Sequence, residues 1–386
     1  MERTYNFRLY PKPRQEVALQ RVLNTCRKLY NACIEQRQVA WAHRRPVSRL
    51  DQERQLSGLR EELPEFGSVY SHVLQDVVRR VDLAYQAFFR RCKAGQKPGY
   101  PRFRGRDRYD SFTYKQPGNG CVRFEQGKLY LSRVCRDGIR MFQHRPTLGT
   151  IRTVTVMRKA SGWHVAVSCA EVPPDPSLVA GTGEAGVDVG LTHFATLSTG
   201  ETIENPRFLK AAEARVKSRQ RCVSRKRRGS ANRREARRVL SREWERLANR
   251  RRDFQVKTAR ALVQRFGRIA VERLAIQDMV QSGPSRGLHR SIADASSRGF
   301  LNALSSKAEE AGSTVVFVEA RGTTRRCSGC GNSVPKTLRE REHRCSCGVV
   351  MGRDLNAARN ILARARTEPP WRERDAALVE AGSPAL

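Results

Sequence analysis

Three times in this chain a short apolar run or a helix start delivers a single carboxylate, and no other feature constrains the fold as tightly. The first is Gly186-Val187-Asp188-Val189-Gly190. The second is Ile269-Ala270-Val271-Glu272-Arg273-Leu274, and the third is Gly352-Arg353-Asp354-Leu355-Asn356-Ala357-Ala358. Strand alternation puts Val187 and Val189 on one face and Asp188 on the other, and it frees Glu272 near the end of its run. Asp354 instead opens a helical pattern. A lone acid is usually a solvated group or an ion-pair partner, and the chain has 38 acidic residues. Three that converge from separate elements repel one another, however, so such a group persists only when cations neutralise it. Hard oxygen ligands of this kind suit Mg2+, or Mn2+. Two such ions about 3.5–4 Å apart are a standard arrangement for in-line phosphodiester cleavage. Asp188, Glu272 and Asp354 are therefore the expected catalytic set and the expected ligands of two Mg2+ ions.

A second metal pattern follows the second acid. Cys327-Ser328-Gly329-Cys330-Gly331 and Cys345-Ser346-Cys347-Gly348 are two close cysteine pairs with fourteen residues between them. Four soft thiolates in a tetrahedron select zinc, so Cys327, Cys330, Cys345 and Cys347 are expected to hold one structural Zn2+. An odd total of eleven cysteines in a basic chain argues for thiols rather than disulfides. The other seven (Cys26, Cys33, Cys92, Cys121, Cys135, Cys169 and Cys222) are expected to pack as small apolar groups.

Charge identifies the partner class. Lys and Arg number 74 and the formal net charge is +36, which points to nucleic acid first and to acidic membrane second. The densest stretch, 207–252, holds 19 Lys and Arg against four Glu and no Asp. Its Arg225, Lys226, Arg227 and Arg228 are candidate nucleic-acid contacts. A basic loop with interleaved aromatics supplies Lys97, Tyr100, Arg102, Phe103 and Arg104, a mixture that suits phosphate contact and base stacking. No run of 18 apolar residues occurs, and Met1-Glu2-Arg3-Thr4-Tyr5 lacks the apolar core of a signal peptide. A cytoplasmic, nucleic-acid-associated protein with no membrane segment is expected.

In chain order, Tyr5 to Tyr10 reads as a strand that stops at Pro11-Lys12-Pro13. Helical periodicity follows over 14–45, with an apolar stripe of Val17, Leu23, Cys26, Leu29, Tyr30, Cys33 and Ile34, and then over 50–62 and 68–93. From Phe112 to Val172 short alternating runs between Gly and Asn turns predict a small β-barrel. Pro173-Pro174-Asp175-Pro176 begins a linker. Strands at 193–197 and 202–203 follow Asp188, and then two basic helical arms meet at Gly229-Ser230. The segment 277–290, rich in Ser, Gly and Arg, reads as a mobile loop, 293–311 as a helix and 314–318 as a strand.

Gly186-Val187-Asp188-Val189-Gly190, Val271-Glu272-Arg273-Leu274 and Arg353-Asp354-Leu355-Asn356-Ala357-Ala358-Arg359-Asn360-Ile361 resemble the three motifs of the RuvC-like, ribonuclease H-like nuclease domain of TnpB proteins. These are transposon-encoded relatives of type V CRISPR effectors. Phe7-Arg8-Leu9-Tyr10-Pro11 and Tyr100-Pro101-Arg102-Phe103 also resemble family landmarks, so the likeness reaches from the N-terminus to about Ala363. It implies an α/β nuclease domain with an inserted zinc ribbon, preceded by a β-barrel that a helical bundle interrupts. The division expected is a wedge-like barrel at 1–13 and 105–175, a helical recognition bundle at 14–104 and a linker at 176–182. The nuclease domain takes 183–320 and 349–366, the zinc ribbon 321–348, and a disordered tail 367–386. The resemblance implies a guide RNA, a double-stranded DNA target and cleavage beside a short flanking motif. One departure is the spacing of Cys345 and Cys347, one residue closer than the family's usual pair, which makes nearby His343 an alternative ligand to Cys345. Rival readings are a miniature type V effector, an RNA-guided binder that does not cut, and a DDE transposase. The last is disfavoured because the acids here run Asp, Glu, Asp.

Overall fold

The computed structural model describes residues 1–106, 108–273, 296–337 and 340–367. The loop expected at 277–290 lies outside the described residues, as does the expected tail apart from Thr367, which ends a helix. The chain divides at Pro173/Pro174 into two units.

The first unit begins with β1 (Arg3–Tyr10) and α1 (Pro13–Ala42), where proline at the first helical position lacks an N–H that would have no intrahelical acceptor anyway. Leu19, Val22, Leu23, Cys26, Leu29, Tyr30, Cys33 and Ile34 bury one face of α1. Val17 falls off that stripe and is 64% exposed, against expectation. The helix expected over 50–62 is two short ones, α2 (Arg49–Arg54) and α3 (Leu56–Glu62), followed by α4 (Pro64–Gly67). Helix α5 (Ser71–Lys93) buries Val73, Leu74, Val77, Val78, Val81 and Tyr85 at spacings of three and four.

Six more strands complete this unit: β2 (Ser111–Lys115), β3 (Val122–Glu125), β4 (Lys128–Leu131), β5 (Cys135–Phe142), β6 (Thr150–Lys159) and β7 (Gly162–Ala170). The sheet order is β2-β6-β7-β1-β5-β4-β3, every pair antiparallel. The expected barrel is thus a curled sheet whose edge strands β2 and β3 do not share a ladder among the described residues. A turn at Pro117–Asn119, flanked by Gln116 and Gly120 at φ 54° and 73°, diverts the chain between them. Side chains draw the two edges together instead, for the Tyr114 hydroxyl of β2 donates to the Ser132 carbonyl beyond β4 at 2.8 Å. Strand β5 escapes sequence reading because it opens Cys135-Arg136-Asp137-Gly138. Gly138 is required there, since a Cβ would stand 2.7 Å from the Tyr130 ring.

Helices and sheet share one apolar core, so the bundle has no separate interior. Arg80 of α5 pairs with Asp76 at 2.7 Å and donates to the Ser111 carbonyl at 2.8 Å and the Thr113 hydroxyl at 2.7 Å. Of the seven scattered cysteines, Cys26, Cys33, Cys121 and Cys169 are buried as expected and Cys135 is half-buried. Cys92 and Cys222 are exposed, because each lies on the polar side near the end of its helix.

In the second unit β8 (Gly183–Val189), β9 (His193–Leu197) and β10 (Thr202–Glu204) form an antiparallel meander. The two arms are α6 (Phe208–Ser224) and α7 (Ala231–Arg265), and β11 (Phe266–Glu272) follows directly. Then come α8 (Ser297–Ala311), β12 (Thr314–Val318), the small hairpin β13 (Glu342–Arg344) and β14 (Val350–Gly352), and α9 (Arg353–Thr367). The main sheet runs β10-β9-β8-β11-β12, with β8, β11 and β12 parallel. Ala185, Val187, Ile269 and Val271 point to the face covered by α7 and α8. Ala270, Val316 and Val318 point to the other face, against Ile361 and Ala365 of α9.

Alternation then assigns Gly186, Asp188 and Glu272 to the α9 face. A Cβ at Gly186 would stand 2.0 Å from the Ala358 carbonyl oxygen, so the missing side chain is what lets α9 lie directly on β8. Gly186→Ala is expected to destabilise the second unit by about 1–3 kcal/mol through overpacking. Gly352→Ala, where a Cβ meets nothing within 4 Å, is the matched control. Thermal unfolding of both variants checks this, and equal midpoints would refute the close packing.

Candidate active site and metal centre

Strands β8 and β11 run parallel with Val187 opposite Val271, so Asp188 and Glu272 leave neighbouring strands at the same level. Adjacent strands are about 4.8 Å apart, which makes the two carboxylates side-by-side neighbours. Asp354 is the second residue of α9, the helix seated on this face, where a first-turn carboxylate meets the positive end of the helix dipole. The structure thus brings all three acids to one place.

Their electrostatics record the crowding. Burial, then the charges of Glu272 and Asp354, push the Asp188 carboxyl up to about 8, with Arg353 pulling the other way. Burial also raises Glu272, opposed by a hydrogen bond from Thr323 and by Arg364. Arg353 Nε lies 3.3 Å from Asp354 Oδ1. Burial and neighbouring negative charge thus favour the protonated form of Asp188, and a bound divalent ion would act in the opposite direction. Crowded, partly buried oxygen donors of this kind fit a hard cation, which removes the repulsion.

Helix α9 also organises the loop that follows β12. Asn356 accepts from the Ser328 amide at 2.9 Å and donates to the Arg326 carbonyl at 2.7 Å. Asn360, one turn on, donates to the Thr323 carbonyl at 2.8 Å and the Arg326 carbonyl at 2.7 Å. Arg364, a further turn on, donates to the carbonyls of Glu319 and Arg321. Spacing by four puts the three on one helix face, forming a polar ladder along residues 319–328. Thr323, buried at the centre of that loop, donates its hydroxyl to Glu272 Oε1. Asn356, Asn360 and Arg364 were not singled out from sequence, although their i, i+4, i+8 spacing was a readable signal. Thr323 has no such signal.

The same ladder delivers the cysteines. The sulfurs of Cys327, Cys330, Cys345 and Cys347 all lie within 4.8 Å of one another, with Cys327–Cys347 and Cys330–Cys345 at 3.6 Å. Tetrahedral coordination with 2.3 Å metal–sulfur bonds has edges of roughly 3.8 Å, so the cluster fits a tetrahedral thiophilic ion. Burial opposes ionisation of Cys327, but the Cys330 and Gly329 amides and His343 bring it down to about 7. The Cys347 amide brings Cys345 to about 6. The Val349 amide favours the Cys347 thiolate, yet the neighbouring sulfurs of Cys330 and Cys345 push it up to about 12. His343 is fully buried beside Cys327 but stands outside the four-sulfur group, with Nδ1 against Lys336 Nζ.

The expected nucleic-acid contacts fall in two places. Lys97, Tyr100, Arg102, Phe103 and Arg104 are exposed in the first unit. Tyr100 packs edge-on against Phe88 at 5.1 Å and Tyr85 at 5.8 Å, while the Arg104 backbone is pinned to Asn31 at 2.7 and 3.1 Å. Arg225, Lys226, Arg227 and Arg228 are exposed at the junction of α6 and α7 in the second unit. Those arms pack on each other through Ala212, Val216 and Leu247, which leaves their basic faces to solvent.

Three family models match the chain. They are the "Probable transposase" model OrfB_IS605 over residues 167–283, the "Cas12f1-like, TNB domain" model over 298–361 and a "Helix-turn-helix domain" model, HTH_OrfB_IS605, over 1–46. Residues 1–46 here form a strand and one long helix rather than two helices. A Streptomyces pristinaespiralis protein named for RNA-guided DNA endonuclease activity is 33% identical over 371 residues, 94% of this chain and 89% of the relative. Escherichia coli K12 InsQ, named for the same activity, is 27% identical over 385 residues, 93% and 91% of the two chains. Among solved structures, a Cas12f1 complex with guide RNA and target DNA superposes with TM-score 0.57 at 12% identity over 90% of this chain and 82% of that one, a likeness of fold. With near-full-length identity of 33% added to the motifs at Asp188, Glu272 and Asp354, the chain belongs to the TnpB family.

Proposed function

We propose that this chain is an RNA-guided DNA endonuclease that cuts its target through a two-cation site held by Asp188, Glu272 and Asp354. The observation that carries the reading is the convergence of three acids from β8, β11 and α9, with Glu272 buried, Asp188 and Asp354 half-buried, and the charges of Glu272 and Asp354 acting on Asp188. The second unit is read as a RuvC-like, ribonuclease H-like nuclease domain, and its four-cysteine cluster as a zinc ribbon. The first unit is read as the wedge with its helical recognition insertion. The relatives' names and the net charge of +36 support a guide RNA and a DNA target as partners.

When bound, two Mg2+ ions supply an activated water and a counter-charge for the leaving 3′-oxygen. The chain's own residues do the rest. Asp188 of β8 and Asp354 of α9, elements that the bare Gly186 lets pack together, would both hold the cations. Glu272 completes the set from the neighbouring strand. Arg353, beside Asp354, places positive charge where phosphate oxygens approach. The Asp, Glu, Asp order and the cysteine insertion before the last acid argue against a DDE transposase, whatever the name of the matching model.

Asp188→Ala, Glu272→Ala and Asp354→Ala should each lower cleavage by on the order of 100-fold or more, because removing one ligand dismantles a shared site. Guide RNA and target DNA should still bind about as tightly as to the parent, since base pairing and phosphate contacts carry affinity. Cleavage and binding measured side by side check this. Loss of both together would make these acids supports of the fold. The thiolate cluster should hold one zinc per chain, lost in Cys327→Ser and Cys330→Ser and kept in His343→Ala. Metal analysis decides, and zinc that survives Cys345→Ser but not His343→Ala would reassign the fourth ligand.

A further inference from the structure

Glu272 is a carboxyl group at 9% exposure; among the described residues a hydroxyl donates a hydrogen bond to its side chain, and the Arg364 charge also acts on it. That donor, Thr323, is 2% exposed and sits on the loop that α9 grips through Asn360 and Asn356. The hydroxyl has one proton and two acceptors within reach, Glu272 Oε1 and the Ala320 carbonyl at 3.0 Å. A hydrogen bond to an ionised acceptor is roughly twice as strong as one to a neutral acceptor, so the proton goes to the carboxylate.

We propose that Thr323 is the positioning residue of Glu272: its hydroxyl commits one carboxylate oxygen to a fixed donor and leaves the other as the cation ligand. This rests on the two-cation reading above. A neutral donor suits the task. Arg or Lys at this point would orient the carboxylate but also cancel its charge and compete with the cation, whereas a hydroxyl orients and leaves the charge in place. Threonine adds stiffness, because a β-branched side chain has few χ1 choices. The polar ladder of α9 then fixes the loop relative to the helix that carries Asp354. The spacing between the second and third acids is thereby set by one clamped segment rather than by two independent elements.

The test compares Thr323→Val, which keeps the shape and removes the hydroxyl, with Thr323→Ser, which keeps the hydroxyl. Both are made in the full chain with its bound RNA. Thr323→Val should need roughly 10- to 100-fold more Mg2+ for half-maximal cleavage, the usual effect of deleting a hydrogen bond to a metal ligand, and Thr323→Ser should stay near the parent. A second readout is independent of turnover: the rise in unfolding midpoint on adding Mn2+, counting only the part that Asp188→Ala abolishes. Thr323→Val should lose that increment at Mn2+ concentrations that saturate the parent, with zinc content and target binding unchanged. An unchanged Mg2+ requirement in Thr323→Val, equal loss in Thr323→Ser, or loss of zinc along with activity would each overturn the assignment. A parent that cuts without any divalent cation would instead remove the two-cation reading on which it rests.

Discussion

The second unit is built around an unfavourable interaction. Three carboxylates are held close enough that burial and mutual repulsion push one of them, Asp188, up to about 8. Such a cluster lowers stability unless something is gained from it, and a cation that relieved the repulsion would supply that gain. Several details of this unit keep the three acids together against their repulsion. Parallel pairing of β8 and β11 aligns two of them, and the bare Cα of Gly186 lets α9 bring the third.

The polar ladder of α9 extends that arrangement to the cysteines. Asn356, Asn360 and Arg364 hold backbone groups of 319–328, so the segment between β12 and the first cysteine pair follows the helix instead of wandering as a loop. One end of this segment holds Glu272 through Thr323, and the other carries Cys327. The two candidate metal sites are therefore ends of one clamped structure, which gives a physical reason for the four-cysteine cluster to stand between the second and third acids.

Much of this was legible in the sequence because periodicity is a local signal. Alternation located the strands bearing Asp188 and Glu272, and spacing of three and four located α5 and most of α1. The legible part stopped where geometry depends on distant residues. Strand β5 begins with polar residues and a glycine that only the Tyr130 ring explains. In the first unit β2 and β3 are consecutive in sequence yet lie at opposite edges of the sheet among the described residues, a fact no alternation pattern encodes. Val17 is apolar but falls between the buried positions Gln15 and Leu19, off the stripe that steps by three and four, and so faces solvent. At the candidate site the acids and cysteines were visible as types in a pattern. Thr323 was not, because a hydroxyl gains its role only from the carboxylate 51 residues away in sequence.

A net charge of +36 distributed over both units fits a protein whose working form includes a polyanion. A miniature CRISPR effector remains the rival reading of the same motifs, and the bound RNA, not the candidate site, distinguishes the two. The most direct measurement of the central claim replaces the variable segment of the copurifying RNA with a chosen sequence and maps the cuts on DNA carrying matched and unmatched targets. The account predicts that the cut moves with the RNA sequence, requires Mg2+ and disappears in Asp188→Ala. Cutting whose position ignores the RNA, or that persists in Asp188→Ala, would contradict it.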